Sequence, residues 1–248
     1  MPLPFRISVE RYDPDTGKSY TQEYEIPAQE HFTVLDALNE IKDTQDGTLT
    51  HRFSCKMGIC GSCGMMVNGK PVLSCTTQCA ELPMPIAVAP MRNFPVIKDL
   101  VVDLDDGMRK LRTVMPYMNF VRNTSSEVRP QKQSPRERLK IDQTSQCIKC
   151  MLCYSACPVY SADKNFLGPA ASALAYRYNE DSRDSSRGER LDRVIGTQDT
   201  VWSCSFVGEC SRVCPKRVDP AKAVQRLKVM GALRMLTKPF SRKSHEKK

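Results

Sequence analysis

A run of cysteines that ends at a proline constrains this chain of 248 residues more than any other feature. It comprises Cys147, Cys150, Cys153, Cys157 and Pro158, with the spacing C-x-x-C-x-x-C-x-x-x-C-P. Bacterial ferredoxin-type iron-sulfur runs have this spacing, and in them three thiolates bind one cluster while the fourth reaches another cluster. The run therefore predicts two clusters whose remaining ligands lie elsewhere in the chain.

The remaining ligands are predicted in a second group of cysteines, Cys204, Cys210 and Cys214. The first and last of these are spaced like the ends of a second run, and Pro215 follows the last. Val207 stands where C-x-x-C-x-x-C would place the middle cysteine. The second group is thus a ferredoxin run that lacks one ligand.

Exchange of the fourth ligand between the two runs, as in two-cluster ferredoxins, assigns every cysteine of both groups to a cluster. A 4Fe-4S cluster is predicted to take Cys147, Cys150, Cys153 and Cys214. The other cluster is predicted to take Cys157, Cys204 and Cys210. Because this second cluster has three thiolates and no evident fourth ligand, we expect it to be a 3Fe-4S cluster.

A further set of cysteines has the plant-type 2Fe-2S spacing, C-x4-C-x2-C with a distant fourth cysteine. This set is Cys55, Cys60, Cys63 and Cys75. Zinc sites usually pair cysteines in two short knuckles, so the spacing argues against zinc. The interleaved glycines, Gly58, Gly61 and Gly64, suit a loop that approaches sulfur closely and adopts unusual backbone angles. A 2Fe-2S cluster is predicted here.

The remaining cysteine, Cys79, is expected to be a small buried thiol outside the site. Its position shortly after Cys75 would also allow it to compete as the fourth ligand. The chain has 12 cysteines, which would suggest disulfides in a small secreted protein. This chain is long, opens without the apolar core of a signal peptide, and groups its cysteines at metal-ligand intervals, so we expect a reducing compartment.

Residues 1–106 have the sequence pattern of a sheet domain. Apolar and polar residues alternate over 5–9 and again over 20–26, on both sides of a turn-rich segment, which predicts a β-hairpin. Further signals are a helix capped by Thr33, a hairpin at Asn68-Gly69 and a closing strand at 86–89. Strand, strand and helix begin a β-grasp sheet, so we predict an N-terminal β-grasp, plant-type ferredoxin domain.

Residues 107–248 are predicted to form an all-α, bacterial-ferredoxin-like domain, which makes the chain α+β. Apolar residues at steps of three or four from Leu104 to Met118 predict an amphipathic helix. Further helices are predicted at Ser134-Pro135, at 169–178 and at Asp219-Pro220. The polar segment 122–133 predicts a surface loop or an inter-domain connection.

The formal charge of +9 could indicate nucleic acid, an anionic membrane face or an acidic protein partner. The basic residues are scattered apart from Lys238, Arg242, Lys243, Lys247 and Lys248. For these we expect a solvated terminus, with contact to a membrane surface or a partner as the alternative. No nucleic-acid role is predicted, and no window is apolar enough to span a membrane.

Three clusters in one chain predict a relay, because each is a one-electron carrier and cluster chemistry alone transforms no substrate. The chain lacks a P-loop, a G-x-G-x-x-G fingerprint and a credible His-Asp-Ser arrangement. It has 3 histidines, which argues against a Rieske pair. The electron donor and acceptor are therefore expected on partner proteins.

A family resemblance rests on several motifs, most of them outside the predicted ligands. They are the glycine-rich loop 58–64 and the segments 52–54, 93–100, 177–184 and 202–203. With them the sequence resembles, from its first strand to about Val229, the iron-sulfur subunits of succinate dehydrogenase and fumarate reductase. This resemblance implies a flavoprotein partner that interconverts succinate and fumarate at covalently bound FAD. It also implies the cysteine ligands named above, and a relay through 2Fe-2S, 4Fe-4S and 3Fe-4S clusters to a quinone at transmembrane anchor subunits.

The quinone end is similar to that of menaquinol-type fumarate reductases. Ubiquinone-using members carry a histidine just after the first cysteine of the second run and a tryptophan shortly after the first Cys-Pro. In this chain Ser205 occupies the place of the histidine, and the stretch 159–162 contains no tryptophan. Phe206, Gln225 and Lys228 strengthen the likeness. The resemblance implies menaquinone near these residues. The Lys228 ammonium could stabilise a semiquinone or quinol anion, although a solvent-facing lysine is the alternative.

Several alternatives stay open from the sequence. One alternative is an iron-sulfur subunit of another flavin dehydrogenase or of a disulfide reductase. Such a subunit would usually have a complete second cysteine run, so Val207 argues against this alternative. A freestanding polyferredoxin carrier would hardly need the motifs at 93–100 and 177–184, which are typical of docking or packing surfaces. The sequence is compatible with either direction of the reaction, succinate oxidation or fumarate reduction. Since no transit peptide is present, we expect a peripheral subunit at the cytoplasmic face of a bacterial inner membrane.

Overall fold

The computed structural model describes residues 4–120, 131–196 and 200–241, with side chains up to Thr237. Two compact units are formed. The first consists of the described residues up to Asp106, with Ile148–Ala156 and Val213–Lys216. The second consists of the described residues of Gly107–Cys147 and Cys157–Arg212, and of those from Arg217 onward.

The first unit contains a five-stranded sheet with the strand order β2-β1-β5-β3-β4. Its strands are β1 (Phe5–Asp13), β2 (Lys18–Ile26), β3 (Gly64–Val67), β4 (Lys70–Leu73) and β5 (Ile86–Ala89). Both predicted hairpins are confirmed as antiparallel pairs, β1 with β2 and β3 with β4. The closing strand β5 lies between them, parallel to β1 and antiparallel to β3. It therefore joins the two hairpins into one sheet.

Helix α1 (Val34–Thr44) packs its apolar face into the core of this unit. It begins at the predicted cap, since Thr33 Oγ1 accepts a hydrogen bond from the Asp36 backbone and the Asp36 carboxylate accepts one from the Thr33 backbone. This reciprocal arrangement satisfies two backbone donors that would otherwise lack partners. Cys79 lies in the same core with no exposed surface, in agreement with the predicted buried thiol.

The motif at 93–100 contributes internal packing that the sequence did not resolve into elements. It contains a short strand β6 (Val96–Lys98), which pairs with β7 (Val101–Val102). Asn93 Nδ2 donates hydrogen bonds to the carbonyls of Tyr154 and Ser155, at 2.9 and 3.1 Å. The motif thus packs within the first unit, which agrees with the packing alternative.

The remaining elements are helical. They are α2 (Asp105–Thr113), α3 (Pro135–Ser145), α4 (Leu152–Ser155), α5 (Pro158–Ala162), α6 (Pro169–Glu180), α7 (Arg187–Ile195), α8 (Glu209–Arg212) and α9 (Pro220–Ser241), with short 3-10 turns at Ser74–Thr76, Cys79–Glu81 and Val201–Ser203. No strand follows Val102 among the residues that the structure describes. The chain therefore combines an N-terminal sheet domain with a C-terminal helical region, as predicted at this level.

The predicted helix starts at the two proline pairs are confirmed. Ser134 and Glu137 form a reciprocal capping box at α3. Asp219 Oδ1 accepts a hydrogen bond from the Lys222 backbone N–H at 2.9 Å, at the start of α9. Side-chain acceptors at these positions satisfy N–H groups that have no partner within the helix.

The predicted helix from Leu104 to Met118 begins within one residue of its expected start, but it ends too early, because α2 covers only Asp105–Thr113. Met115 has a φ of +52°, which an α-helix does not accommodate, and it precedes Pro116, whose ring disfavours helical geometry in the preceding residue. Leu111 and Met115 are nevertheless buried, as expected for core residues.

Part of the predicted loop 122–133 lies outside the described residues, as do the basic side chains of the C-terminal group. Within the described segments, no helix combines the length and the apolar character needed to cross a membrane.

Candidate iron-sulfur centres

The loop that carries Cys55, Cys60 and Cys63 wraps backbone donors around the first sulfur. The N–H groups of Met57, Ile59 and Cys60 donate to Cys55 Sγ, at 3.5, 3.3 and 3.3 Å. Hydrogen bonds to the sulfurs are among the features that set the reduction potential of an iron-sulfur cluster. The loop therefore supplies Cys55 Sγ with the kind of partners that the sulfur of a cluster ligand has.

The predicted unusual backbone angles occur at two of the three glycines. Gly58 has a φ of +69° and Gly61 a φ of +77°, in the left-handed region that favours glycine. Gly64 instead begins β3, and its role is close approach to neighbouring side chains. Lys56 also has a positive φ, of +55°, which sequence composition did not indicate.

The hairpin of β3 and β4 returns Cys75 to Cys63, as predicted. Their Sγ atoms lie 3.2 Å apart, and both residues are buried. Burial and the neighbouring Cys63 raise the pKa of the Cys75 thiol to about 11. By contrast, hydrogen bonds from Ser62 and the Cys55 backbone lower the pKa of the exposed Cys60 to about 6. The four cysteines thus comprise a buried pair and a more accessible pair.

Of the ligands predicted for the 4Fe-4S cluster, Cys150, Cys153 and Cys214 belong to the first unit and Cys147 belongs to the second. Cys150 lies between Lys149 and Met151, whose φ angles are +59° and +64°. These left-handed residues bend the backbone sharply on both sides of the cysteine. No sequence signal marked them, because non-glycine residues seldom adopt such angles.

The second unit brings Cys157, Cys204 and Cys210 together around one open pocket, whose volume of about 370 Å³ includes space open to solvent. Val207, at the position of the missing cysteine, lines the same pocket. Its side chain is 52% exposed. In the described part of the chain, no three His, Cys, Asp or Glu side chains are placed to hold a single metal ion.

Local backbone structure positions each of these three cysteines. Cys157 is the N-cap of α5, and its Sγ accepts a hydrogen bond from the Tyr160 N–H at 3.4 Å. Cys210 lies in α8, and Cys204 follows the turn Val201–Ser203. Burial raises the pKa of the Cys157 thiol and raises that of Cys210 to about 11. Desolvation of this kind favours ligands whose charge is shared with a bound metal.

Two of the four residues predicted near a quinone line this pocket, whereas Gln225 and Lys228 do not. Ser205 and Phe206 line it, and Phe206 is 58% exposed. Lys228 Nζ donates a hydrogen bond of 2.7 Å to the backbone carbonyl of Cys204, so this lysine is half-buried rather than solvent-facing. Gln225 does not line the pocket, and its buried Nε2 has no hydrogen-bond partner within the described residues.

Two protein-family models match the segments that hold these cysteines. The "2Fe-2S iron-sulfur cluster binding domain" matches residues 6–109, and the "4Fe-4S dicluster domain" matches residues 143–218. A "Fumarate reductase iron-sulfur subunit" of Mycobacterium tuberculosis (strain CDC 1551 / Oshkosh) is 52% identical over 234 residues, which cover 94% of each chain. The chain belongs to the iron-sulfur subunits of succinate dehydrogenase and fumarate reductase.

A second relative and a solved structure are also similar to this chain. A "Succinate dehydrogenase iron-sulfur subunit" of Coxiella burnetii (strain RSA 493 / Nine Mile phase I) is 38% identical and covers 90% of this chain and 94% of its own. The solved structure "Mycobacterium smegmatis Sdh1 complex in the apo form" contains a chain with a TM-score of 0.83 and 26% identity. The match covers 94% of this chain and 98% of that one.

Family membership confirms the predicted activity class. The iron-sulfur subunit is part of an oxidoreductase, and the complex is a succinate:quinone oxidoreductase. The sequence missed three non-glycine residues with left-handed backbone angles beside the predicted ligands, namely Lys56, Lys149 and Met151. A single sequence has no local signal for such angles.

Proposed function

We propose that this subunit relays electrons between FAD on a flavoprotein partner and a quinone at transmembrane anchor subunits, through 2Fe-2S, 4Fe-4S and 3Fe-4S centres. Each such cluster supplies reversible one-electron transfer when bound. The observation that carries the proposal is the convergence of Cys157, Cys204 and Cys210 on one pocket, with Val207 where a fourth thiolate would stand. The chain's own residues bind, orient and shield the three centres.

The first centre is assigned to Cys55, Cys60, Cys63 and Cys75. The sulfurs of Cys63 and Cys75, 3.2 Å apart, are close enough to bind one iron atom. The N–H groups around Cys55 stabilise its thiolate, and such hydrogen bonds tune the reduction potential of a bound cluster. The donor set, all thiolate with backbone N–H partners, fits a 2Fe-2S cluster.

The second centre is assigned to Cys147, Cys150, Cys153 and Cys214 as a 4Fe-4S site. The assignment rests on the ferredoxin spacing and on the dicluster family model that covers all four residues. The family model also supports two clusters in this segment, which together with the first centre makes three.

The third centre is assigned to Cys157, Cys204 and Cys210 as a 3Fe-4S site. A valine cannot ligate iron, and its apolar side chain leaves the fourth position without a donor. The pocket that these three cysteines share is lined mainly by apolar groups. Three thiolates in such surroundings fit a three-iron cluster better than a four-iron cluster.

The quinone is proposed to be menaquinone, bound near Ser205, Phe206, Gln225 and Lys228. Support comes from the hydrogen bond between Lys228 and the Cys204 carbonyl, which holds a positive charge beside a proposed ligand of the third centre. The exposed ring of Phe206 offers an apolar surface to a quinone ring. Gln225 stands three positions before Lys228 on α9, and its buried Nε2 has no hydrogen-bond partner among the described residues.

The sheet unit is proposed to be a β-grasp, plant-type ferredoxin domain spanning residues 1–106, and residues 107–248 a bacterial-ferredoxin-like helical domain. The order strand, strand, helix and the mixed sheet support the first assignment. We place the subunit peripherally at the cytoplasmic face of a bacterial inner membrane, bound to its anchor subunits. The names of the relatives, all subunits of larger complexes, support partners of this kind.

Purification at native abundance from detergent-solubilised membranes tests the proposal. We expect a flavoprotein and at least one membrane subunit to co-elute with this chain. Electron paramagnetic resonance (EPR) of the oxidised complex should show a three-iron signal, and the dithionite-reduced complex should show the two other centres. A chain that elutes alone would support the freestanding carrier, and a missing three-iron signal would contradict the third assignment.

A further inference from the structure

Two glycines of the first ligand loop lie against the segment that carries Cys150, within the same compact unit. A Cβ atom placed on Gly61 would lie 2.7 Å from the Cβ and 2.9 Å from the Cα of Cys150. A Cβ atom on Gly64 would lie 3.2 Å from Leu152 Cδ2 and 3.5 Å from the Cys150 carbonyl oxygen. At Gly61 no side chain fits without movement of a backbone.

This contact joins two proposed ligand sets. Gly61 follows Cys60 directly and stands two positions before Cys63, both assigned to the first centre. Cys150 is assigned to the second centre. Only the hydrogen atoms of Gly61 therefore separate the backbone of one ligand loop from the backbone of the next.

The other glycines with positive φ show that backbone angle alone does not explain Gly61. Gly69 has the same φ of +77°, and a Cβ there would meet nothing within 4 Å. Gly58, in the same ligand loop, has a φ of +69°, and its Cβ would meet only the end of the Thr76 side chain, at 2.9 Å. The close approach to a second ligand segment distinguishes Gly61.

We propose that Gly61 and Gly64 are positioning residues that set the separation between the first and second centres. The proposal rests on the ligand assignments made above. Electron transfer between two fixed centres slows steeply as their separation grows. A methyl group at Gly61 must move the Cys150 backbone, which cannot rotate away as a flexible side chain can. The absence of side chains at these glycines thus supports rapid transfer along the relay.

The test is the Gly61→Ala variant of the complete complex, compared with Gly69→Ala and Gly58→Ala. In the fully reduced complex the first two centres are paramagnetic, and their magnetic interaction broadens the EPR signals and weakens with distance. We expect both signals in Gly61→Ala with a weakened interaction, and slower electron transfer from the first centre after rapid mixing with reductant. Gly69→Ala, with the same backbone angle and open space, should match the unmodified complex.

A wild-type interaction in Gly61→Ala would overturn the proposal. An equal weakening in Gly58→Ala would also overturn it, because strain in the ligand loop would then be the cause. If the Gly61→Ala complex does not assemble, the Gly64→Ala variant tests the proposal instead. A Cβ at Gly64 meets the flexible side chains of Leu152 and Met91, so we expect this complex to assemble, with a smaller weakening of the magnetic interaction. An unchanged interaction there would refute the positioning role. Absence of either signal from the unmodified complex would instead contradict the ligand assignments.

Discussion

Lys228 holds the carbonyl oxygen of Cys204 through a hydrogen bond of 2.7 Å from its ammonium group. The bond fixes a long, flexible side chain with its charge beside the backbone of Cys204, and Cys204 itself lines the pocket. A positive charge in partly buried surroundings stabilises a nearby anion more than it would in water. This arrangement gives the lysine a physical basis for acting on a reduced quinone.

Replacement of Lys228 by alanine should lower quinone reduction by roughly tenfold or more, since hydrogen bonds to charged groups contribute about 1.5–3 kcal/mol. Succinate oxidation with an artificial acceptor, measured on the same preparation, should be unchanged because the flavin site is proposed to lie on the partner. Lys222→Ala, an exposed lysine at the start of the same helix α9, is the matched control. Equal quinone reduction in both variants would remove Lys228 from the quinone site.

Val207→Cys should convert the third centre towards a four-iron cluster, because it supplies a thiolate on the pocket that holds Cys157, Cys204 and Cys210. The three-iron EPR signal of the oxidised complex should disappear, and the iron content should rise. Val207→Ser, which adds a polar group of similar size without a thiolate, should keep the signal. An unchanged three-iron signal in Val207→Cys would count heavily against the proposed ligand geometry.

Arg11→Met should destabilise the first unit by about 3–5 kcal/mol, because it removes one side of a buried ionic network. The Arg11 guanidinium is 2% exposed and forms ion pairs with Asp46 at 2.6 Å and Asp99 at 2.8 Å. Thermal unfolding of the complex measures the effect. Arg138→Met removes an exposed pair with Asp142 and should cost less than about 1 kcal/mol. Similar losses in both variants would refute the importance of burial.

Tyr24 should make the stability of the same unit depend on alkaline pH. Burial, and then the hydrogen bond to Asp46, raise the pKa of Tyr24 to about 12. Because the folded pKa exceeds the unfolded value of about 10, its contribution is complete below pH 10 and is lost as the pH rises towards 12. It amounts to about 2–3 kcal/mol at most.

Unfolding midpoints recorded between about pH 8 and 12 test this dependence. Tyr24→Phe should lower the midpoint at pH 8 and flatten the decline above pH 10. Tyr117→Phe, at an exposed ring, should leave the profile unchanged. A decline in Tyr24→Phe as steep as in the unmodified protein would place the titrating group elsewhere.

Cys79→Ala should retain the first centre, because Cys79 lies in the hydrophobic core and burial raises the pKa of its thiol to about 12. We expect a stability loss of about 1–2 kcal/mol and an unchanged 2Fe-2S signal. Cys75→Ala should abolish that signal. Retention of the signal in Cys75→Ala with its loss in Cys79→Ala would exchange the roles of the two cysteines.

Much of the fold was predictable where a few neighbouring residues decide the local structure. Asn68-Gly69 specifies a tight hairpin turn through its positive φ angles, and Thr33 caps α1 through its own side chain. The helix expected up to Met118 failed because apolar periodicity does not register the backbone turn at Met115. The strands β6 and β7 were missed because two or three residues carry no usable periodicity.

The sequence by itself determined which thiols are available as ligands: the cysteines present, their spacing, and the absence of a thiol at Val207. Only the tertiary structure decided what surrounds them, including the contact of Gly61 with Cys150 and the bond from Lys228 to Cys204. The physical reason is the distance along the chain over which each kind of information acts. Spacing constrains residues that share a turn, whereas residues tens of positions apart meet only when whole elements pack, and that packing depends on the complete core.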